Sequence, residues 1–239
     1  MRGMIRIVGA CLLAAAAIGS LTASAAQAEQ FEFGQCQKAE KVGKEYKGKY
    51  SDKNCTTEVT SGGKYEFIPL PEGTARQQGG KGKGMTITVP ASGVSVKCSK
   101  SSATGTLTGP KDGEETIAFS GCSSAAGTCS TAGGGKGEIQ AKVKVKLDYT
   151  PPKTVSIEIT FGKNATAAVM IKCGTTEFGL YGSTDGIESG NVDVMSSKAL
   201  DTWSGPGELV VEAGGVAASA EFSASLALKN EKLEVKTHE

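Results

Sequence analysis

The chain has 239 residues, of which 26 are Lys or Arg and 25 are Asp or Glu, so its formal net charge is +1. A charge so close to zero argues against nucleic-acid binding, which depends on an excess of basic residues. The only histidine, His238, lies one residue from the C-terminus, so a catalytic triad has no internal histidine to act as its base.

The first predicted element is a secretory signal peptide over residues 1–28. Arg2 and Arg6 precede an apolar stretch, and the small-residue triplet Ala26-Gln27-Ala28 stands before Glu29, an arrangement typical of a signal-peptidase site. We therefore expect cleavage between Ala28 and Glu29. No later segment reaches the roughly 18 unbroken apolar residues of a transmembrane helix. We expect no membrane span in the mature chain, and we place it outside the cell or on the exterior of the envelope.

Six of the seven cysteines remain once the signal peptide, which contains Cys11, is removed. An even number of cysteines in an exported chain indicates structural disulfides, because thiols are not kept reduced there. Zinc is the rival, but zinc sites favour short C-x2-C pairs, and the sequence has none. We predict three disulfides, with no metal and no cofactor.

A small N-terminal module is predicted over residues 29–74. Cys36 and Cys55 enclose a polar loop, rich in Lys and Gly, that has no core of its own, which favours a disulfide between them. The segment ARQQGGKGKG, at 75–84, is predicted to be a linker, and residues 85–239 are predicted to form the main β domain.

The other four cysteines lie in the predicted β domain. Cys98 and Cys173 each end a strand-like segment, so neighbouring strands would place them within bonding distance. Cys122 and Cys129 are then left to close a small loop. The main alternative joins Cys98 to Cys122.

Apolar and polar residues alternate with a period of two along almost the whole mature chain, which indicates strands and not helices. The predicted strands, bounded by Gly, Ser, Pro or Asp, lie at 64–70, 85–90, 93–98, 103–109, 115–121, 138–149, 155–161, 176–182, 207–213, 216–228 and 232–237. Short strands without helical segments between them predict an all-β fold, an antiparallel sandwich or barrel.

The register of one hairpin can be predicted. Residues 138–149 and 155–161 alternate strictly and are separated by TPPK. If their apolar faces are to match, Val145 lies opposite Ile159 and Lys146 opposite Glu158. This register leaves a loop of five residues.

In order along the chain, several segments resemble a family of exported proteins from soil actinobacteria. FEFGQCQKAEKVGKEYKGKYSDKNC and GGKYEFIPL resemble the family's N-terminal module, in which FGRC, a spaced Cys and GGKYEW-PG recur. The resemblance continues through IAFSGCSS, GTCSTAGGGKGEI and IKCGTTEFGLYGS to the closing LKNEKLEVKT. It implies secretion and a β-rich fold but no catalytic mechanism. Phe67 departs from the pattern, because the family has Trp at that place.

No catalytic residues are expected, since nucleophile, phosphate-binding and dinucleotide motifs are missing from the sequence. Glu114 and Glu115 are adjacent on a predicted strand and should point to opposite faces. Asp185, Glu188 and Asp193, together with Asn191, offer oxygens that a calcium ion would accept, but their spacing is not that of an EF-hand. A solvated loop is the favoured interpretation.

A row of lysines and the only tryptophan each have a functional interpretation and a simpler structural one. Lys142, Lys144 and Lys146 lie on one side of a predicted strand and form a candidate surface for an anionic polymer, although lysines commonly protect exposed strands. A solvated face is favoured. Trp203, the only tryptophan, is predicted to be an anchor packed on the core.

The leading hypothesis is a secreted, non-enzymatic, disulfide-stabilised β protein that binds or supports material of the cell envelope or outside the cell. A cell-envelope polymer is the candidate partner. The alternative hypothesis is a carboxylate-dependent enzyme that acts on extracellular polysaccharide, which would need two acids about 5 to 10 Å apart.

Overall fold

A computed structural model describes residues 30–150, 154–162, 168–189 and 196–238, so the predicted signal peptide and its cleavage site at Ala28 and Glu29 lie outside the described residues. The all-β prediction is confirmed. The strands are β1 (Gln30–Lys38), β2 (Lys41–Val42), β3 (Glu45–Tyr46), β4 (Gly48–Tyr50), β5 (Glu58–Gly63), β6 (Tyr65–Pro69), β7 (Arg76–Val89), β8 (Val94–Lys97), β9 (Lys100–Leu107), β10 (Asp112–Ser120), β11 (Ser123–Ser124), β12 (Gly127–Thr131), β13 (Glu138–Thr150), β14 (Thr154–Gly162), β15 (Val169–Cys173), β16 (Thr176–Ser189), β17 (Ser196–Ala213) and β18 (Val216–His238).

The strands from β7 onward form a closed barrel of eight antiparallel staves. A stave is here one strand, or two consecutive strands that share the same neighbours. In chain order the staves are β7, β8 with β9, β10 with β11, β12 with β13, β14 with β15, β16, β17 and β18. Each stave pairs with the next one along the chain. The last stave, β18, pairs with β7 and closes the ring.

The predicted hairpin is confirmed in its register. Val145 lies opposite Ile159, and Lys146 lies opposite Glu158. The ladder continues to Thr150 opposite Thr154, so three residues, 151–153, separate the paired ends instead of the five expected.

Alternation along the staves fills the barrel with apolar side chains and leaves polar ones outside. On β13, Val143 and Val145 are buried, whereas Lys144 is exposed. In the middle of the barrel the ring of Phe222 packs edge-on against Phe161 and Phe119, with centroid distances of 5.3 and 6.2 Å. The middle of the barrel is therefore a packed core.

The prediction of a linker at 75–84 is wrong, because residues 76–84 form the first part of β7. Gln78 pairs with Gly105 on one side and with Asn230 on the other. Glycines in this segment fit where backbones approach closely: a Cβ on Gly82 would lie 1.7 Å from the carbonyl oxygen of Ser225. The Gly-rich composition indicates tight strand packing here and not chain flexibility.

The N-terminal segment continues the sheet beyond the barrel. Strand β1 pairs with the end of β18 and with β6. Lys236 of β18 reaches into this segment, where its Nζ donates a hydrogen bond of 2.7 Å to the carbonyl oxygen of Cys55 and lies 4.8 Å from the centre of the Tyr50 ring. Phe67 is buried in the same region, beside Tyr50 and Cys55.

One end of the barrel, called the base, is closed by this N-terminal segment. A cluster of buried apolar residues joins the two parts, and we call it the base cluster: Phe31, Phe33 and Leu70 from the N-terminal segment, with Leu107, Leu147, Val155 and Val235 from the barrel. Backbone hydrogen bonds reinforce the closure, including one of 2.7 Å from Phe33 to the carbonyl oxygen of Pro110.

The cysteine predictions are confirmed in part. Cys36 bonds to Cys55 as predicted. The predicted pairing of Cys98 with Cys173, and of Cys122 with Cys129, is wrong. The bonds are Cys98–Cys122, which was the alternative considered, and Cys129–Cys173.

The direction of the backbone hydrogen bonds of Cys122 explains why it bonds to Cys98 and not to Cys129. The carbonyl oxygen of Cys122 accepts from the N–H of Cys129 at 2.9 Å, and the N–H of Cys122 donates to the carbonyl oxygen of Gly137 at 3.0 Å, so both backbone groups of Cys122 face the stave of β12 and β13. A strand residue directs its N–H and C=O to the same neighbour, so Cys122 meets Cys98 as a non-hydrogen-bonded pair, in which the side chains are closer. Their Cα atoms are 3.9 Å apart, and those of Cys129 and Cys173 are 4.0 Å apart. Two disulfides thus tie four consecutive staves in pairs.

Within the described ranges, no helix has the length and apolar character needed to cross a membrane.

Candidate functional site

The end of the barrel opposite the base, called the mouth, is open. Four connections meet there, at 90–93, 125–126, 174–175 and 214–215, and each joins consecutive staves. Between them lies a cavity of about 510 Å³, the mouth cavity, lined by Val89, Ser92, Gly93, Val94, Ser95, Ser124, Ala125, Ala126, Cys173, Thr176, Phe178, Val211, Ala213, Val216 and Ala218.

The lining of the mouth cavity carries no charged side chain and consists mainly of Val and Ala. Two large apolar side chains stand at its rim in solvent, with Val94 44% and Val216 72% exposed. The cavity lies within the volume range of small-molecule sites, about 300–1,000 Å³. Its character fits a ligand, or a ligand segment, that is apolar and uncharged.

The hydroxyl groups of two lining serines are already used by the turns that carry them. Ser92 Oγ donates to the carbonyl oxygen of Val89 at 3.4 Å and accepts from the N–H of Val94 at the same distance. Ser124 Oγ accepts from the N–H of Ala126 at 3.1 Å. These hydroxyls stabilise the turns, which reduces what the lining can offer to a polar ligand.

The floor of the mouth cavity is rigidly held. Phe178 is only 5% exposed, and Val211 is buried beside it. Cys173, another part of the lining, is tied to Cys129 on the neighbouring stave. A floor fixed by a disulfide and a buried ring keeps the cavity preformed, which lowers the entropic cost of binding.

A second concave surface lies on the outside of the barrel, over β9, β10, β13 and β14. It measures about 810 Å³ and is lined by Thr104, Gly105, Thr106, Thr108, Glu114, Glu115, Thr116, Lys142, Val143, Lys144, Thr160, Phe161 and Gly162. Its outward side chains are threonines, lysines and Glu114. Opposite charges occur side by side, since Glu114 lies across from Lys144, so the surface has no single sign of charge for a polyanion.

Glu114 and Glu115 point to opposite faces, as predicted. Glu114 is exposed, whereas Glu115 points into the barrel and is 6% exposed. The Nε2 of Gln78 donates to Oε1 of Glu115. Burial raises the pKa of Glu115 to about 7, although the hydrogen bond from Gln78 acts in the opposite direction.

Gly105 makes room for this buried pair. It stands between Gln78 and Glu115 in the ladder, and a Cβ at its position would lie 2.5 Å from Cγ of Glu115. The pair lies in the half of the barrel nearer the base, with Phe161 and Val143 on the same side of the sheet, so we interpret it as part of the core.

The acids considered for calcium are not brought together. Asp185 lies on β16 opposite Glu158, and Glu188 lies further along the same strand opposite Asp201. Asn191 and Asp193 lie outside the described residues. Among the residues that the structure describes, no three of His, Cys, Asp or Glu are placed to share a metal ion.

Asp185 does have an unusual environment. Its pKa is raised, first by burial and then by repulsion from Glu158, Asp148 and Glu208. The outer row across the sheet runs from Asp112 through Lys146 and Glu158 to Asp185. A lysine thus borders the acidic positions, and the row carries charges of both signs.

The remaining predicted features have structural roles. Lys142, Lys144 and Lys146 are exposed on the outer face of β13. Trp203 is buried on β17, and its Nε1 donates a hydrogen bond of 3.2 Å to the carbonyl oxygen of Ile157. The ring crosses Gly186, where a Cβ would lie 2.5 Å from it. Trp203 is therefore a core anchor, as predicted.

The mouth cavity was not predicted from the sequence. Its lining comes from staves far apart in the chain, from Val89 to Ala218. Only the closure of β18 against β7 brings these segments together. The one local signal is a series of small residues at the turns after every second stave, which also occurs in turns without any site.

Comparison with known proteins gives no relative: no family model matches the chain, and neither a curated protein nor a solved structure does.

Proposed function

We propose that the protein is a secreted, non-catalytic binding protein and that the mouth cavity is its binding site. The observation that carries this proposal is an uncharged, mainly apolar cavity of about 510 Å³ at the one open end of a closed barrel. Mouths of barrels are common places for small ligands, and an eight-stranded barrel can hold one. The other end is covered by the base cluster.

Export is supported by two independent features. The first 28 residues have the composition of a signal peptide, and three disulfides within the chain fit an oxidising compartment. The resemblance to secreted proteins of soil actinobacteria agrees with both. We therefore propose that the protein acts outside the cell or on the exterior of its envelope.

A binding role is favoured over catalysis by the chemistry of the mouth cavity. Its lining offers no acid, base or charged group, and general acid–base catalysis requires such a group within hydrogen-bond reach of the substrate. The buried carboxyl of Glu115 lies towards the base and pairs with Gln78.

The proposal is tested by filling the cavity. An uncharged, environment-sensitive naphthylamine dye is titrated against the mature protein and against Ala218→Phe, which places a ring in the lining of the mouth cavity. We expect the dye to bind the parent protein and to bind the variant at least tenfold more weakly. Ala125→Phe, on the other side of the opening, is expected to act in the same way.

The matched control is Ala227→Phe. Ala227 is exposed on the same strand as Ala218, opposite Lys81 on the outer face. This variant should bind the dye as the parent does. Equal dye binding by all four proteins, or no binding by any, contradicts the proposal.

The absence of catalysis is tested separately. We expect no turnover of polysaccharide, peptide or ester substrates. We also expect any retention on cell-envelope material to survive replacement of Asp185, Glu188 and Asp193 together. If the parent cleaved a glycan reproducibly and this triple variant, still folded, did not, the protein would be an enzyme and these acids its active site.

A further inference from the structure

We infer that the ligand is an amphiphile that enters the mouth cavity with an aliphatic tail and keeps its polar head outside. This inference rests on the function proposed above and names the class of ligand. Three properties of the cavity carry it: a single opening, a lining that is uncharged and mainly apolar, and an apolar rim that continues into solvent.

The single opening follows from the packing below the floor. Phe178, Val211 and Cys173 form the bottom of the cavity and belong to the main core. Beneath them the barrel is filled by the contacts of Phe222 with Phe119 and Phe161. A ligand longer than the cavity must therefore leave through the end by which it entered.

The lining determines which end of the ligand goes in. It carries no charge, and the hydroxyls of Ser92 and Ser124 are engaged within their own turns. A polar group carried to the floor, among Phe178, Val211 and Cys173, would lose its water without gaining a side-chain partner there, which weakens binding. The polar head is thus kept outside, and the tail goes to the floor.

The same lining favours an aliphatic chain over a sugar. Sugar hydroxyls require paired donors and acceptors, and a lining made mainly of Val and Ala leaves most of these hydroxyls unpaired. Phe178 is the one aromatic side chain of the lining. The other large side chains are valines, whose contacts suit methylene groups.

The rim extends the apolar surface beyond the cavity. Val94 and Val216 stand on either side of β7, on neighbouring staves, and both are exposed. Next to the lining positions Thr176 and Ala213 in the chain, the charged residues Glu177 and Glu212 occupy the outer face. A tail that leaves the opening meets apolar side chains first, and its head reaches the charged exterior.

The test compares ligands that differ only in the tail. 1-Hexanol, 1-octanol and 1-decanol are used to displace the naphthylamine dye from the mature protein. Affinity should rise about fourfold for each CH2 that enters the cavity, which corresponds to about 0.8 kcal/mol per CH2. Ala218→Phe should abolish this dependence, and Ala227→Phe should preserve it.

The orientation is tested with 1,10-decanediol, which has the length of 1-decanol and a hydroxyl at both ends. Because one hydroxyl must then enter the cavity, we expect binding at least tenfold weaker than that of 1-decanol. If the diol bound as well as the alkanol, or if chain length had no effect while the dye still bound at the mouth, the inference would be wrong and the proposed binding site would stand.

A different set of results would show that the mouth cavity is not a ligand-binding site. If neither dye nor alkanol bound, and light scattering showed a dimer that Val216→Asp dissociates, the mouth would be an interface between two copies of the chain. The inference and the proposed function would then both be wrong.

Discussion

The base and the mouth are formed by the same eight staves but end in different ways. At the base, Phe31, Phe33 and Leu70 of the N-terminal segment cover the barrel end. At the mouth, short turns follow the strands directly; one consists of Gly214 and Gly215, both at positive φ. The four turns are two or four residues long and consist mainly of Gly and Ala, whose side chains do not reach across a barrel, so this end stays open. Closing a barrel sideways therefore does not close its ends, and an added segment determines which end is covered.

The largest expected effect comes from breaking the cover at the base. Phe33→Ala removes a buried ring of the base cluster and should lower the free energy of unfolding by about 3–5 kcal/mol, because a cavity replaces the ring. Val216→Ala at the mouth should change it by about 0.5 kcal/mol or less, since its side chain is already in solvent. Urea unfolding measures both. Similar losses at the two ends would mean that the mouth is as tightly packed as the base.

The second-largest loss of stability is expected from removing the disulfide below the mouth, Cys129–Cys173. Replacing Cys129 and Cys173 together by Ala removes a crosslink across a sequence separation of 44 residues and should cost about 2–4 kcal/mol. Hydrogen exchange should quicken in β12 and β15 near the mouth. Faster exchange in β1 and β6, at the base, would contradict the separation of the two ends.

The pH dependence of stability tests whether Glu115 and Gln78 form a neutral pair in the half of the barrel near the base. Its pKa is raised by burial from 4.5 to about 7, so between these values the native state holds a proton that the unfolded chain has lost. Stability must then fall as pH rises through that window. Glu115→Gln should remove this dependence and be more stable than the parent by about 2–3 kcal/mol at pH 8.

The matched measurement is urea unfolding of both proteins at pH 4.5 and pH 8. At pH 4.5 the side chain at position 115 is neutral in the native state of both proteins, so we expect their free energies of unfolding to be nearly equal. A parent whose stability rose between these values relative to Glu115→Gln would show that the carboxyl is charged in the native barrel.

The smallest effect on the free energy of unfolding is expected from substitutions on the outer face of the barrel, where the base and the mouth should not differ. Lys144 lies towards the base and Lys97 towards the mouth, and both are exposed on the outer face. Each substitution by Ser should change the free energy of unfolding by about 0.5 kcal/mol or less. A loss above 1 kcal/mol at one of them would mean that its outer face is covered in the folded protein.

Local pattern was sufficient for part of this molecule. Alternation alone predicted that Val145 faces Ile159 and Lys146 faces Glu158, because a period of two leaves one register in which the apolar faces match. The same reasoning separated Glu114 from Glu115, and loop composition was enough to pair Cys36 with Cys55. Each of these outcomes depends on residues close in the chain.

Long-range pairing settled the rest. Cys122 bonds to Cys98 and not to Cys129 because of its hydrogen-bonding side in the ladder, and residues 76–84 form a strand because β9 and β18 flank them. The mouth cavity exists only because β18 returns to β7. Alternation in the sequence determined which side chains face inward, but the closure of the ring and the cover at one end are decided by contacts between residues far apart in the chain, which no local pattern encodes.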